Sequence, residues 1–353
     1  MPRVLIAAGG TAGHVVPALA VAERLRAAGA DVVFVGGERA EAELVPAAGY
    51  ELRTIRVEGL SRTNPLRAAR AVARSAAAVA AAERILRELR PAVVLGGGGY
   101  VAGPVGLAAL ARRIPLVLAE ADSHLGISNR LLAPGARRVC LAFPIEGRNG
   151  ARYRVTGRPI RPPAGDRAAA RAAFGLSDGE LCVLVFGGSQ GARTINEAAV
   201  DAFRAAPFRV LHAAGVRHHA TLAPRVGGSH YDLRPYIDEL GDALAACDLC
   251  VSRAGGSIFE IAAAGKPAIL VPYPHATADH QTANARWMAA AGAAVCVPDA
   301  ELTAARLGQE VGALLGDPAR LASMAAASAA LARPHAAQAV ADEILAAARE
   351  RGS

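Results

Sequence analysis

The feature that most constrains the fold is a unit of strand, glycine-rich turn and helix that occurs twice in the chain. The first copy is "RVLIAAGGTAGHVVPALAVAERL" at residues 3–25, and the second is "CVLVFGGSQGARTINEA" at residues 182–198. In each copy an apolar strand runs into two glycines, a hydroxyl residue and a further glycine before a helix. Such a turn presents backbone N–H groups at a helix N-terminus, where anions bind. The repeat predicts two similar domains, each with a potential ligand site at the end of its first strand.

Short apolar runs alternate with helical patterns on both sides of the Pro/Gly-rich segment "GRPIRPPAGD" at residues 157–166. This rhythm predicts an α/β protein with two doubly wound, Rossmann-like domains facing each other across a cleft. We place the N-terminal domain at residues 1–157 and the C-terminal domain at 158–333. The last helix, within 334–353, could pack on either domain.

Composition narrows the ligand classes. The 353 residues carry a net charge of +8, which suits a phosphorylated substrate or an anionic membrane surface. Only 4% of the residues are aromatic, which leaves little material for base stacking and disfavours nucleic acid. Five scattered cysteines are typical of a reducing compartment, and the "CDLC" at residues 247–250 has no second ligand pair, so we expect no bound metal.

Two stretches without charged residues, 4–22 and 91–111, are each interrupted by glycine-rich turns. They therefore predict no transmembrane helix, and the apolar start is too short for a secretory signal. Arginines recur at helical spacing at Arg67, Arg70 and Arg74. This basic face could dock on an anionic membrane or be an ordinary solvated surface.

Several polar residues lie where they could contact a bound ligand. His14 follows the first glycine turn, and with an ordinary pKa of about 6.5 it can act as a base or be a structural turn residue. Glu260 falls in the first turn of a helix. A carboxylate there can accept hydrogen bonds from both hydroxyls of a ribose, or it can only complement the helix dipole. Asp279 is placed to cap a helix on which Gln281 and Asn284 share one face, as amides that bind sugar hydroxyls would.

Six motifs in order, "GGTAGHVVPALA", "GGYVAGP", "GGSQGA", "YIDEL", "SRAGG…E" and "DHQTANA", resemble the MurG family over residues 4 to about 345. The resemblance implies a two-domain GT-B fold and a peripheral enzyme on the cytoplasmic face of the membrane. It implies inverting transfer of GlcNAc from UDP-GlcNAc to the C4 hydroxyl of MurNAc in lipid I, giving lipid II for peptidoglycan synthesis. No cofactor or metal is implied.

The same resemblance implies roles for individual residues. Thr11, Ala12, Gly13 and His14 would face the donor sugar and the acceptor, and the Ile237 backbone would read the uracil. The remaining substrate-binding positions implied are Tyr100, Asp122, Arg161, Ser189, Gln190, Gly255, Gly256, Ser257, Glu260, Gln281 and Asn284.

Two departures from the family pattern matter for the chemistry. Ala12 adds a methyl group in the first turn, and Asp122 stands where the family has asparagine. Asp122 brings a negative charge near a pyrophosphate site unless it is the base or pairs with an arginine. The candidates for the catalytic base are therefore His14, Glu120 and Asp122.

Other activities remain open on sequence grounds. A related enzyme using another acceptor, a UDP-GlcNAc epimerase and a non-catalytic nucleotide sensor would share much of this pattern. An NAD-dependent oxidoreductase would use Glu38 near the end of the second strand, but "GGTAGH" lacks the G-x-G-x-x-G spacing.

Overall fold

The computed structural model describes residues 1–57, 65–161, 165–188 and 191–350, without the side chains of residues 65–75 and 277. The chain divides into two compact units. The N-terminal unit comprises residues 1–160 and 333–353, and the C-terminal unit comprises residues 161–332. Each unit has a parallel sheet between helices, which confirms the predicted α/β class with two Rossmann-like domains.

The N-terminal unit, in its described part, has seven strands in the order β3-β2-β1-β4-β5-β6-β7. The strands are β1 Arg3–Ala7, β2 Asp31–Gly36, β3 Glu51–Thr54, β4 Val93–Gly96, β5 Leu116–Glu120, β6 Arg138–Leu141 and β7 Tyr153–Val155. The helices are α1 Ala12–Ala27, α2 Ala40–Ala47, α3 Pro65–Leu89, α4 Ala102–Ala111, α5 Ile127–Leu132 and α14 Ala336–Arg349, with a short 3₁₀ turn at Ala133–Gly135.

After an exposed charged first residue, the strands β1 and β2 are apolar and buried because helices cover both faces of the sheet. β1 pairs with β2 through Val4 and Val32, and with β4 through Val4 and Val93. One face packs against α1 and α14, and the other packs against α3 and α4.

The last helix, α14, completes the core of the N-terminal unit. Its buried residues Val340, Ala341, Ile344 and Ala347 form an apolar stripe against α1 and the sheet. Arg138 of β6 donates to Glu343 at 3.0 Å and to Glu350 at 2.9 Å beside this stripe. The helix therefore belongs to the N-terminal unit although it follows the C-terminal unit in sequence.

The C-terminal unit has six strands among the residues described, in the order β10-β9-β8-β11-β12-β13. The strands are β8 Cys182–Phe186, β9 Arg209–Ala213, β10 Tyr231–Arg234, β11 Leu249–Ser252, β12 Ala268–Leu270 and β13 Ala294–Cys296. The helices are α6 Arg167–Ala173, α7 Arg193–Ala202, α8 Val216–Leu222, α9 Leu240–Ala246, α10 Ile258–Ala263, α11 His280–Ala290, α12 Ala304–Leu315 and α13 Pro318–Leu331. Short 3₁₀ turns occur at Ala223–Arg225, Thr277–Asp279 and Asp299–Glu301.

A buried hydrogen-bonded group crosses the core of this unit. His212 of β9 is fully buried, with Nδ1 2.8 Å from Tyr231 Oη and Nε2 3.0 Å from Asn196 Oδ1. Asn196 in turn donates to Ala214 O at 2.7 Å. Burial lowers the pKa of His212 to about 3, so the imidazole is neutral and serves the core.

Candidate active site

Both sheets reverse direction beside their central strand. In the N-terminal unit the chain moves outward from β1 to β2 and β3, and then restarts on the other side of β1 at β4. In the C-terminal unit the same reversal occurs between β8 and β11. Ligands of doubly wound sheets bind at the carboxyl ends of the strands at such reversals. Both predicted glycine turns lie at these two points.

In the N-terminal unit the first glycine turn closes around a carboxylate of the protein itself. Glu41 of α2 is fully buried. Its Oε2 accepts the N–H of Gly10 at 2.8 Å, and its Oε1 accepts the N–H of Gly37 at 2.8 Å and the hydroxyl of Tyr100 at 2.7 Å. A Cβ on Gly9 would lie 2.7 Å from Glu41 Oε1. The glycines therefore make room for Glu41 in this turn.

These contacts shift two pKa values in opposite directions. Burial raises the pKa of Glu41, but the hydrogen bonds from Gly10, Tyr100 and Gly37 outweigh it and hold that pKa below its usual range. Burial and the hydrogen bond to Glu41 raise the pKa of Tyr100 to about 12. At neutral pH the pair is thus an ionised carboxylate and a neutral phenol that donates to it.

His14 stands in the first turn of α1, immediately after the glycine turn. Its Nδ1 lies 3.3 Å from Thr11 Oγ1. Its ring packs against Gly98 in the loop after β4, where an added Cβ would lie 2.7 Å from His14 Cδ2. Gly98 has a φ of +98°, which also favours glycine. Two loops from neighbouring strand ends therefore fix the imidazole.

The charges around His14 favour its neutral form. Arg158 donates to the carbonyl oxygen of Gly13 at 2.6 Å, next to the histidine. Burial and the positive charge of Arg158 lower the pKa of His14, whereas the negative charges of Asp122 and Glu41 raise it by less. The net pKa lies below the ordinary value, so the imidazole is available to accept a proton at neutral pH.

Glu120 organises the loop that follows β5. Its carboxylate accepts the N–H of Asp122 at 3.1 Å, the N–H of Gly126 at 2.8 Å and the side-chain amide of Asn129 at 2.9 Å. The residue is 7% exposed, and burial raises its pKa despite these hydrogen bonds. Glu120 is thus engaged in holding the loop that carries Asp122.

His14 and Glu120 line one cleft of the N-terminal unit. Pro17 of α1, Cys140 of β6 and Val340 of α14 form part of its apolar wall. The structure therefore brings two of the three predicted base candidates to one cleft and places the charge of Asp122 close enough to act on His14.

In the C-terminal unit the second glycine turn is tighter than the first. A Cβ on Gly187 would lie 2.3 Å from Ala192 N, and one on Gly191 would lie 2.1 Å from Ala214 O. Helix α7 begins directly after this turn, at the carboxyl end of β8. Ser189 and Gln190, which are predicted to bind substrate, lie outside the described residues.

The loop after β11 carries the next group of predicted residues. Gly255, Gly256 and Ser257 are partly exposed between β11 and α10. Glu260 lies in the first turn of α10, as predicted, and is half-buried. Gly255, Gly256 and Ser257 on this loop and Glu260 at the start of α10 stand together at the second reversal point.

Gln281 and Asn284 occupy different environments on α11. Asn284 is 3% exposed, and its amide nitrogen donates to Ala254 O at 2.9 Å, which holds the loop after β11. Gln281 is less buried, and its Oε1 accepts the N–H of Tyr273 at 2.9 Å. Asn284 is therefore buried away from any open face, whereas Gln281 is partly exposed.

The predicted helix cap at Asp279 is wrong in its mechanism. Asp279 occupies the N-cap position, but its φ is +53° and its carboxylate accepts the Thr282 hydroxyl at 2.6 Å in place of a backbone N–H. The preceding Ala278 also has a positive φ, of +50°. The sequence pattern of a helix cap does not reveal two consecutive non-glycine residues with positive φ.

The remaining predicted positions lie on loops of the C-terminal unit. Arg161 is exposed, and Ile237 is 7% exposed in the loop after β10. Sequence reasoning missed Arg253 at the end of β11, whose guanidinium pairs with Asp299 and donates to Val271 O at 3.2 Å. It also missed Arg158 and Glu41.

The described residues bear on only part of the predictions about membrane and metal binding. Arg67, Arg70 and Arg74 have side chains outside the described residues. Within the residues that the structure does describe, no helix is both long and apolar enough to cross a bilayer. In the same part of the chain, His, Cys, Asp and Glu form no group of three or more that could hold a metal ion.

Comparisons with known proteins agree with this architecture. The family models for the N-terminal and C-terminal domains of glycosyltransferase family 28 match residues 4–141 and 182–340. The UDP-N-acetylglucosamine–N-acetylmuramyl-(pentapeptide) pyrophosphoryl-undecaprenol N-acetylglucosamine transferase of Nitrosococcus oceani is 44% identical, over 97% of this chain and 98% of its own. The corresponding enzyme of Moorella thermoacetica is 42% identical, over 97% of this chain and 98% of its own.

Solved structures show the same fold. The crystal structure of Acinetobacter baumannii MurG is 31% identical, with a TM-score of 0.82 over 98% of this chain and 100% of its own. The UDP-GlcNAc 2-epimerase of Neisseria meningitidis, solved with UDP-GlcNAc, shares the fold at 13% identity, with a TM-score of 0.68 over 98% of this chain and 100% of its own. The sequence identities, the two domain matches and the fold together show that this chain belongs to the MurG family of glycosyltransferases.

Proposed function

We propose that the chain transfers GlcNAc from UDP-GlcNAc, with inversion, to the C4 hydroxyl of MurNAc in lipid I and so makes lipid II. The observation that carries this proposal is the neutral, fixed imidazole of His14 at the reversal point of the N-terminal sheet. Family membership at 44% identity over nearly the whole chain supports the same donor and acceptor.

His14 acts as the base in this scheme. In the tautomer that donates Nδ1–H to Thr11 Oγ1, the lone pair of Nε2 is available for the acceptor hydroxyl. The hydroxyl oxygen attacks the anomeric carbon, the bond from that carbon to the diphosphate oxygen breaks, and UDP leaves with the bonding electrons. The hydroxyl proton passes to His14 Nε2.

The other two base candidates take different roles. Glu120 accepts two backbone N–H groups and the Asn129 amide, so we assign it to holding the loop rather than to proton transfer. Asp122 adds a negative charge that raises the pKa of His14, while Arg158 lowers it. Together these charges tune the base.

We assign the acceptor to the N-terminal unit and the donor to the C-terminal unit. Thr11, Ala12 and Gly13 lie beside His14 and would face the reacting sugars. Tyr100 donates its hydroxyl to Glu41, so its contact with substrate is through the ring or by accepting a hydrogen bond.

The donor is held by groups of the second reversal point. The N-terminus of α7 stabilises the charge of the departing diphosphate, which supports a mechanism based on backbone dipoles. Glu260 accepts the ribose hydroxyls, the Ile237 backbone reads the uracil, and the Gln281 amide binds GlcNAc. The other proposed donor contacts are Arg161, Ser189, Gln190, Gly255, Gly256 and Ser257, while Asn284 supports the loop.

A lipid-linked acceptor calls for a membrane-facing surface, and we propose that it lies on α4 and α5. Leu107, Ile127 and Leu131 are 51%, 53% and 72% exposed on these helices. The helices pack together, because an added Cβ on Gly106 would meet Leu132 at 2.5 Å. Exposed leucine and isoleucine side chains on adjoining helices are a surface that inserts into a bilayer interface. We also propose that the chain binds the cytoplasmic face of the membrane, assisted by Arg67, Arg70 and Arg74.

The test of the activity uses the protein with labelled UDP-GlcNAc and a short-chain lipid I analogue. We expect a β-1,4-linked disaccharide product, and a large loss of product with His14→Gln. Intact UDP binding without any product would refute the acceptor assignment. Conversion of UDP-GlcNAc in the absence of acceptor would instead indicate an epimerase.

The membrane proposal has its own test, because soluble substrates bypass it. Sedimentation with vesicles that contain anionic lipid should recover the wild-type protein and lose the Leu131→Glu variant. Equal recovery of both proteins would show that this surface does not bind the membrane.

A further inference from the structure

Glu41 connects the ends of three strands in the N-terminal unit. Gly10 follows β1, Gly37 follows β2 and Tyr100 follows β4, and each donates one hydrogen bond to this carboxylate at 2.7–2.8 Å. The carboxylate is fully buried, where an ionised group is costly unless donors surround it. The three donors stabilise the ionised form, so that one carboxylate holds all three loops together.

The backbone around Glu41 is fitted to its side chain. An added Cβ would lie 2.7 Å from Glu41 Oε1 at Gly9, 2.7 Å from Glu41 Cγ at Gly36 and 3.1 Å from Glu41 Oε1 at Gly37. Glycine at these positions is therefore explained by an internal anion. Because the N–H of Gly10 is already engaged, this turn does not offer that N–H to a substrate phosphate.

Two short paths lead from Glu41 to the imidazole of His14. Along the first, Gly10 precedes Thr11, whose carbonyl accepts the His14 N–H at 3.0 Å and whose hydroxyl lies 3.3 Å from His14 Nδ1. Along the second, the loop fixed by Tyr100 contains Gly98, which packs against the His14 ring. A displacement of the carboxylate would thus move both supports of the imidazole.

We propose that Glu41 is a positioning residue for the glycosyl transfer, because it joins two loops that hold His14. One loop contains Thr11, which contacts His14 Nδ1, and the other contains Gly98, which packs against the imidazole ring. This inference rests on the proposed function and adds a residue to it. Glu41 does not touch substrate; it acts through Gly10, Thr11 and Tyr100.

The decisive variant is Glu41→Gln, which keeps the size of the side chain. Two donors point at Oε1 and one at Oε2, so the amide NH₂ of glutamine must face an N–H or O–H donor. We expect kcat to fall at least tenfold while the KM for UDP-GlcNAc stays within twofold, because the donor unit is untouched. The matched control is Glu43→Gln, the same change at an exposed position of α2, which should leave both constants unchanged.

A second readout does not require activity. Glu41 raises the pKa of Tyr100, and the Arg39 guanidinium, 5.0 Å from the centre of the Tyr100 ring, lowers it. NMR titration of protein labelled in its tyrosine rings, with Tyr100→Phe to identify the resonance, should show Tyr100 ionising at lower pH in Glu41→Gln. Failure of the wild-type protein to transfer GlcNAc would refute the proposed function, whereas the titration still tests the Glu41 contact.

Two results would overturn the positioning role. One is a Glu41→Gln protein whose kcat lies within twofold of the wild-type value or in which the pKa of Tyr100 is unchanged. The other is a protein that loses UDP binding and thermal stability along with kcat, which would make Glu41 a general structural residue. If Glu41→Gln does not fold, Glu41→Asp decides by the same constants, since it keeps the anion but shortens its reach; a folded Glu41→Asp with wild-type kcat would equally refute the proposal.

Discussion

Replacing Gly98 by alanine should displace His14 without removing any polar group. The added Cβ would lie 2.7 Å from His14 Cδ2, whereas ordinary contact begins at 3.4 Å. The imidazole must therefore retreat by about 0.7 Å, and a misplacement of about 1 Å costs on the order of 100-fold in rate. An alanine held at the φ of +98° is strained, which should lower the free energy of unfolding by about 1–3 kcal/mol. We expect kcat to fall about 10- to 100-fold.

The chain contains a matched control for the backbone strain. Gly150 has a φ of +84° and nothing within 4 Å of an added Cβ, so Gly150→Ala carries the strain without the collision. Steady-state transfer assays and denaturant unfolding of both variants separate the two effects. Similar losses of stability with a loss of kcat only in Gly98→Ala support the reasoning. A Gly98→Ala enzyme with wild-type kcat would refute it, because His14 would then tolerate the shift.

Other predictions follow from the charges and the core. Asp122→Asn should move the acid limb of the kcat/KM profile to lower pH and Arg158→Gln should move it to higher pH, because the first charge raises the pKa of His14 and the second lowers it. Loss of all activity in Asp122→Asn would instead make Asp122 the base. The pKa of His212 is lowered to about 3, so below its unfolded pKa of about 6.5 the unfolded chain binds a proton that the folded chain does not. The free energy of unfolding should therefore decrease as the pH is lowered from about 6.5 to about 3, by up to about 1.4 kcal/mol per pH unit in denaturant titrations. The His212→Gln variant should show a flatter dependence on pH. Ile344→Ala removes a fully buried side chain of α14 and should cost about 2–5 kcal/mol of unfolding free energy with UDP affinity unchanged; an unaltered denaturation midpoint would contradict the packing described.

The strands and glycine turns were predictable because their signals are local. "RVLIA" and "CVLVF" are continuous apolar runs, and in the structure they are the central strands of the two sheets. The turns that follow them mark the reversal points because glycine is favoured there by a positive φ, as at Gly10 and Gly191. Glu260 was placed correctly for the same reason, since it is the third residue of a helix that begins directly after a glycine loop.

The supports of the candidate base were not predictable in this way. Glu41 contacts Gly10 and Tyr100, which lie 31 and 59 residues away in sequence, and no local pattern joins them. The available signal was an acidic residue four positions before Val45, on the core-facing side of α2. Arg158 gives less, because an arginine is common in this chain and its partner Gly13 is 145 residues distant. Non-local contacts of charged groups are decided by the fold as a whole.

The membership of α14 in the N-terminal unit has a consequence for synthesis on the ribosome. The 172 residues of the C-terminal unit emerge between residue 160 and the segment that begins at residue 333. At about 5–20 residues per second, that interval lasts roughly 10–30 s. Throughout it the apolar face of α1 awaits Val340 and Ile344. The second unit to be made can therefore fold first, and the nascent N-terminal unit offers chaperones an exposed apolar face until α14 emerges.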